Sequence, residues 1–263
     1  MRITPFSANR EFISDQLARM RRFHCPVTFV YELDLSETLP ALDASRAAGR
    51  EVSLTALLVK ATGMTIARHP RLNRHVFHRF FRRLEVAFDD VSCTLVVRRE
   101  LPSGEEVLYP VLIRGTDRLA LAEIQAIIRR HKQEPLENLP QTAAFRRIQQ
   151  MSWLLRKYFS YKARTDPGFY ARYYGSYGLS SNVARDFGPV AGSGVANTCV
   201  AFVPAVIRDL PRVLSGEVRV RRVMSLGVIA DHFLIDGADV ARAMDTLRPM
   251  LETRVLLEGP SGP

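Results

Sequence analysis

A chain of 263 residues with 47% hydrophobic content is long enough for one large domain with a sizeable core. Its 37 basic and 27 acidic residues give a formal net charge of +10, almost all of it arginine, which implies an attraction for anions. Cys25, Cys93 and Cys199 are odd in number and scattered, which argues against a disulfide framework or a metal cluster. No run is apolar and long enough for a signal peptide or a membrane span, so a soluble, cytoplasmic protein is expected.

In chain order, residues 9–22 read as a helix, PVTFVYELDL as a strand, and LTALLVKATGMTIARHP as a buried helix stopped by Pro70. VSCTLVVRR and VLYPVLI read as strands joined by a turn at residues 102–104, and residues 119–132 as a helix. The spacing then predicts one basic amphipathic helix over residues 142–162. Phe145, Ile148, Met151, Leu155, Tyr158 and Phe159 would share one face, with Arg146, Arg147, Arg156 and Lys157 mostly elsewhere. Such a helix serves either as a packed element with a solvated arginine face or as a contact for a membrane surface or an acidic carrier. An aromatic stretch, DPGFYARYYGSYG, precedes LSSN and a Gly-rich loop, after which TCVAFVPAVI and VMSLGVIA read as apolar strands. Strands and helices mix without regular alternation, so the expected class is α/β, a mixed sheet layered with helices, in one domain over residues 1–257 with a disordered tail at 258–263. The arginines form small groups with no nucleic-acid motif, which disfavours nucleic acid as a partner; phosphorylated molecules such as coenzyme A, or an acidic carrier, suit the charge.

The segment ADHFLIDGADVARAMDTL places His232 at a strand-to-helix junction, four residues before Asp236 and Gly237. Two roles fit the imidazole: a general base on a thiol or hydroxyl, or a ring satisfied within the core. Asp236 fits a helix amino-terminal cap.

His-x-x-x-Asp-Gly after an apolar strand resembles the signature of chloramphenicol acetyltransferase-like acyltransferases, and ADHFLIDGADVARAMDTLRPMLE is similar to the end of the catalytic domain of dihydrolipoamide acyltransferases. The resemblance extends through PFSANREFISDQLARM, VSLTALLVKATGMTIARHPRLNRHV, VLYPVLIRGTDRLALAEIQ and YGLSSNVARDFG, about residues 3–253. It implies that His232 is the base in direct transfer from an acyl-coenzyme A thioester, a substrate rather than a tightly bound cofactor. Ser180, preferred to Ser181 by its distance before the histidine, would donate to the oxyanion, and Asp236 would pair with Arg10. A homotrimer with sites between subunits is also implied. Phe233 stands where the family usually has arginine, and no lipoyl or subunit-binding domain precedes the chain, so a stand-alone acyltransferase is expected. Two further readings are an O-acetyltransferase acting on a hydroxyl and a catalytically inactive trimeric scaffold.

Overall fold

The computed structural model describes residues 6–79, 81–100, 104, 106–181, 183 and 186–258. Helix α1 (Ala8–Phe23) is capped by the Ser7 hydroxyl and leads into strand β1 (Pro26–Asp34). Helix α2 (Thr38–Ala47) follows, then α3 (Leu54–Arg68), which is capped by Ser53 and ends before a 3-10 turn at Pro70–Leu72. A small hairpin, β2 (Arg74–Arg79) and β3 (Arg82–Ala87), precedes a longer one, β4 (Cys93–Glu100) and β5 (Glu106–Ile113). Next come α4 (Leu121–Gln133), α5 (Pro140–Gln149), α6 (Trp153–Thr165) and α7 (Pro167–Tyr173), then the short β6 (Tyr177–Ser180). The ribbon of β7 (Val200–Leu214) and β8 (Glu217–Asp231) runs into α8 (Gly237–Glu252) and a last turn, α9 (Val255–Glu258). The expected tail lies outside the described residues apart from Glu258, which closes that turn.

The main sheet has the order β1-β8-β7-β6-β4-β5, with β6 parallel to both neighbours and the other pairs antiparallel; β2 and β3 form a separate pair. This is the mixed sheet layered with helices that the sequence leads one to expect. Alternation gives the sheet two different faces. Leu95, Val111, Leu179, Phe202 and Val228 pack with α3, α4 and α8 in the principal core. Thr94, Val96, Gly178, Ser180, Ala201 and Ile229 instead line a cavity that α1 and α5 help to wall. Gly175 lets the chain entering β6 approach the backbone of Ser92 more closely than any Cβ would permit.

The single helix expected over residues 142–162 is broken. Helix α5 ends at Gln149 and α6 begins at Trp153, with Ser152 in extended conformation at the new start. The two stripes therefore part. Phe145, Ile148 and Phe159 are buried with Phe12 and Phe77, whereas Leu155 and Tyr158 point to solvent. Arg156 turns inward to Asp15 on α1 (3.1 Å), and Lys157 reaches the same carboxylate (2.6 Å). The expected solvated cationic face is thus replaced, on α6, by an exposed apolar one.

Candidate active site

Strand β8 delivers its last residue, Asp231, into a buried position at the end of the sheet. Its carboxylate accepts from His24 Nδ1 (2.6 Å), from the Cys25 N–H (3.0 Å) and from the Phe233 N–H (3.2 Å). Burial works to raise its pKa, but these hydrogen bonds and the charge of His24 outweigh burial and hold the carboxyl below its usual range. The His232 N–H donates to Cys25 O (2.8 Å), so the start of β1 holds the turn on both sides.

His232 therefore sits on a fixed backbone with its imidazole about half exposed. Its Nδ1 lies 3.3 Å from Asp236 Oδ1. A carboxylate beside Nδ1 favours the tautomer protonated there, which leaves the Nε2 lone pair available as a base. Asp236 occupies the amino-terminal cap position of α8, but its side chain makes no cap bond; its N–H donates to Asp239 Oδ2 (3.2 Å), half of a capping box. The expected side-chain cap is corrected accordingly. Arg10, which the resemblance pairs with Asp236, forms no ion pair with it among the described residues of this chain, where Asp236 faces His232. The anchor of the histidine loop is Asp231 with His24, because Asp231 is the carboxylate that reaches the buried junction with α1. Phe233, which stands where the family it resembles usually has arginine, is stacked by one from elsewhere: Arg83 of β3 lies 4.6 Å over its ring.

Ser180 ends β6 on the cavity side of the sheet. The cavity, about 280 Å³, is walled mainly by apolar side chains such as Phe12, Leu17, Val96 and Ile229. Ser180 lines it and Ser181 does not. Its polar edge is a network that the sequence reading missed. Tyr174 Oη donates to Gln16 Oε1 (3.1 Å), Arg19 donates to Gln16 Oε1 (2.9 Å) and to Asn197 Oδ1, and Tyr170 Oη donates to Asn197 O (2.7 Å). The aromatic stretch before β6 thus fixes the loop at 195–198 that borders the cavity. The available sequence signal was the tyrosine density itself.

Strand register separates the two candidate catalytic groups. Leu179 pairs with Phe202, which pairs with Val228, so Ser180 lies one step beyond that level while His232 lies four residues away in the opposite direction. Five residues and two strand spacings amount to roughly 17 Å along the strands and about 10 Å across them. One chain alone does not bring Ser180 and His232 to the same carbonyl group.

Cys25, Cys93 and Cys199 are free thiols. Burial pushes Cys93 up to about 12 and raises Cys199 further, so neither is a thiolate nucleophile near neutral pH. Among the described residues no group of three or more His, Cys, Asp or Glu side chains is arranged to hold a metal ion, and no helix is long and apolar enough to cross a membrane.

Residues 195–257, which contain the His232 turn and α8, match the family model of the 2-oxoacid dehydrogenases acyltransferase (catalytic domain). No curated protein sequence matches the chain. Solved structures align over nearly its whole length. A truncated catalytic core of the 2-oxoacid dehydrogenase multienzyme complex from Thermoplasma acidophilum is 19% identical, covers 100% of both chains and gives a TM-score of 0.65. The dihydrolipoamide acetyltransferase of Azotobacter vinelandii, whose structure was used to probe the catalytic roles of a serine, a histidine and an asparagine, is 18% identical over 98% of this chain and 94% of its own, with a TM-score of 0.66. Chloramphenicol acetyltransferase is 14% identical over 95% and 98%, with a TM-score of 0.51. The chain has the chloramphenicol acetyltransferase-like fold of these catalytic cores, and its carboxyl-terminal part carries the signature of the 2-oxoacid dehydrogenase acyltransferase catalytic domain.

Proposed function

We propose that the protein transfers an acyl group between a coenzyme A thioester and a thiol or hydroxyl acceptor, in sites shared between neighbouring copies of a homotrimer. His232 Nε2 removes the acceptor proton as the acceptor's sulfur or oxygen attacks the thioester carbonyl carbon. Ser180 of the adjoining copy donates to the oxyanion that forms, and the C–S bond then breaks. The departing thiolate recovers its proton from the imidazolium, so no acyl-enzyme is needed and the histidine returns to its starting state. The apolar cavity beside Ser180 suits the hydrocarbon part of the acyl group, and the basic surface suits a donor rich in phosphate.

The observation that carries this reading is the register gap. His232 presents a free Nε2 and Ser180 lines a cavity, yet they stand ~20 Å apart in one chain, so they act together only across two copies. A spacing supports the assignment of roles: the serine and histidine probed in the Azotobacter enzyme are 52 residues apart with the asparagine four further on, and Ser180, His232 and Asp236 repeat both intervals. Aspartate in place of asparagine adds a charge beside Nδ1.

The test is complementation. His232→Ala and Ser180→Ala chains, each inactive alone, are co-expressed and the mixed oligomers assayed for thiol release from acyl-coenzyme A. About a quarter of the sites in randomly mixed rings then combine an intact histidine with an intact serine. Activity near that fraction is expected. No recovery in mixed oligomers confirmed by mass, or a monomer in solution, refutes the shared site.

A further inference from the structure

Helix α6 and the tip of the β2–β3 hairpin form a surface that the acyl-transfer reading does not use. On α6, Trp153, Leu154, Tyr158 and Tyr161 are all exposed, between 44% and 69%. At the hairpin turn Phe81 is fully exposed, with the exposed Leu84 beyond it. The two areas are continuous, because Arg79 borders one hollow with Tyr161 and Lys162 and another with Phe81, Arg82 and Leu84. Contiguous exposed apolar side chains of this size mark a contact surface.

The surrounding charges indicate what it contacts. Arg79 and Arg82 lie directly opposite each other in the hairpin register, and like charges so placed destabilise a strand pair unless an anion lies between them. A groove between α1 and α6 is lined by Arg19, Arg22, Lys157 and Arg164 against a single carboxylate, Asp15, which Arg156 and Lys157 already occupy. Arg164 stacks on Phe23 at 4.4 Å and donates to His78 O (3.3 Å), and Arg22 lies 5.4 Å over Phe23. Among the described residues, Arg22, Arg79, Arg82 and Arg164 have no carboxylate partner. Nearby acids are spent within the chain: Glu85 pairs with Arg74 and Asp166 with Lys162.

We propose that this surface docks on an anionic phospholipid bilayer. Tryptophan and tyrosine suit the level of the headgroups, where an apolar ring meets hydrocarbon and its N–H or O–H meets water. Phe81, the most exposed of these side chains, enters deepest, while the guanidinium groups without carboxylate partners meet lipid phosphates. A membrane matches exposed apolar side chains set among cations without carboxylate partners.

Trp153 is the sole tryptophan of the chain, so its emission reports on the surface without a label. Titration with phosphatidylcholine vesicles containing phosphatidylglycerol is expected to shift the emission to shorter wavelength, saturably and reversibly by salt. Phosphatidylcholine alone is expected to give little shift. Phe81→Ser should weaken the apparent affinity about tenfold. Arg79→Gln and Arg82→Gln should each weaken it by about fivefold. Circular dichroism and acyl transfer in solution should remain unchanged in all three. The readout needs no turnover, so it stands or falls separately from the proposed chemistry. The proposal is overturned by the absence of a shift with anionic vesicles, or by an equal shift with neutral ones. It is overturned equally by a shift with protein concentration alone, which would assign the face to a second copy, or by one with inorganic phosphate or coenzyme A alone.

Discussion

Helices α8 and α6 are both amphipathic, yet they use their patterns in opposite ways. On α8, Val240, Met244, Leu247 and Leu251 are buried against the sheet and α3, as their spacing requires. On α6 the buried face holds Phe159, Ser160 and Ala163 with Arg156 only 12% exposed, while Leu154 and Tyr158 face water. Periodicity tells which residues share a face. It does not tell which face is dry, and on α6 that was decided by partners distant in sequence: Asp15 for Arg156 and Lys157, and Gln16, whose amide donates to Ser160 Oγ (3.2 Å).

The largest expected effect is at the entrance to α8. His232→Ala should lower the acyl-transfer rate about 10²–10⁴-fold with little change in melting temperature, because the ring is half exposed and meets, among the described residues, only the exposed Asp236 carboxylate, while the backbone N–H stays held by Cys25. A lower melting temperature would mean that the ring, too, belongs to the packed end of the helix. Leucine truncations compare the helices directly. Leu247→Ala, fully buried on α8, should cost about 2–5 kcal/mol, and Leu154→Ala, exposed on α6, less than about 0.5 kcal/mol by urea denaturation. Equal costs would abolish the contrast.

Asp231 supplies a pH dependence. Its folded pKa is depressed, so its contribution to stability is present above the ordinary carboxyl value of about 4 and disappears as pH falls through the folded value. Asp231→Asn should cost roughly 1–3 kcal/mol near neutral pH and flatten the acid limb of a stability–pH curve. A variant with an unaltered acid limb would remove this anchor from the account. The smallest effect concerns α6: a double-mutant cycle of Asp15→Ala with Arg156→Ala should return a coupling of about 1 kcal/mol. No coupling would mean that Arg156 turns inward for reasons of packing alone.

These cases also show how far the sequence was legible. Strands β1, β4 and β5 and helices α1, α3, α4 and α8 were readable because their apolar residues recur at one period and their ends carry caps or breakers. Helix α2, the β2–β3 hairpin and β6 were missed; β6 has only four residues, and the hairpin is dominated by arginine and histidine. The ribbon of β7 and β8 is longer than expected because its outer halves, RDLPRVL and EVRVRR, are too charged to read as strand. At the site, His232 and Asp236 stood out by their place at a strand-to-helix junction, and Ser180 was named by the family resemblance. Asp231, adjacent to the histidine, did not, since its significance depends on His24, 207 positions away. Arg10 was assigned a partner by resemblance, and this chain's geometry gives Asp236 a different one.

That separation between His24 and Asp231 has a consequence for how the protein is made. Strand β1 emerges from the ribosome early, but its hydrogen-bonding edge is completed only by β8, whose pairing residues run from Val223 to Asp231. At ordinary rates of synthesis β1 waits roughly 10–40 s for that partner. Meanwhile β2 with β3 and β4 with β5 can close as local hairpins. The main sheet thus grows from its β4–β5 edge and is finished at the opposite edge, β1, and the anchor of the His232 turn is among the last contacts to form. A nascent chain halted before residue 223 leaves the β8-pairing edge of β1 open.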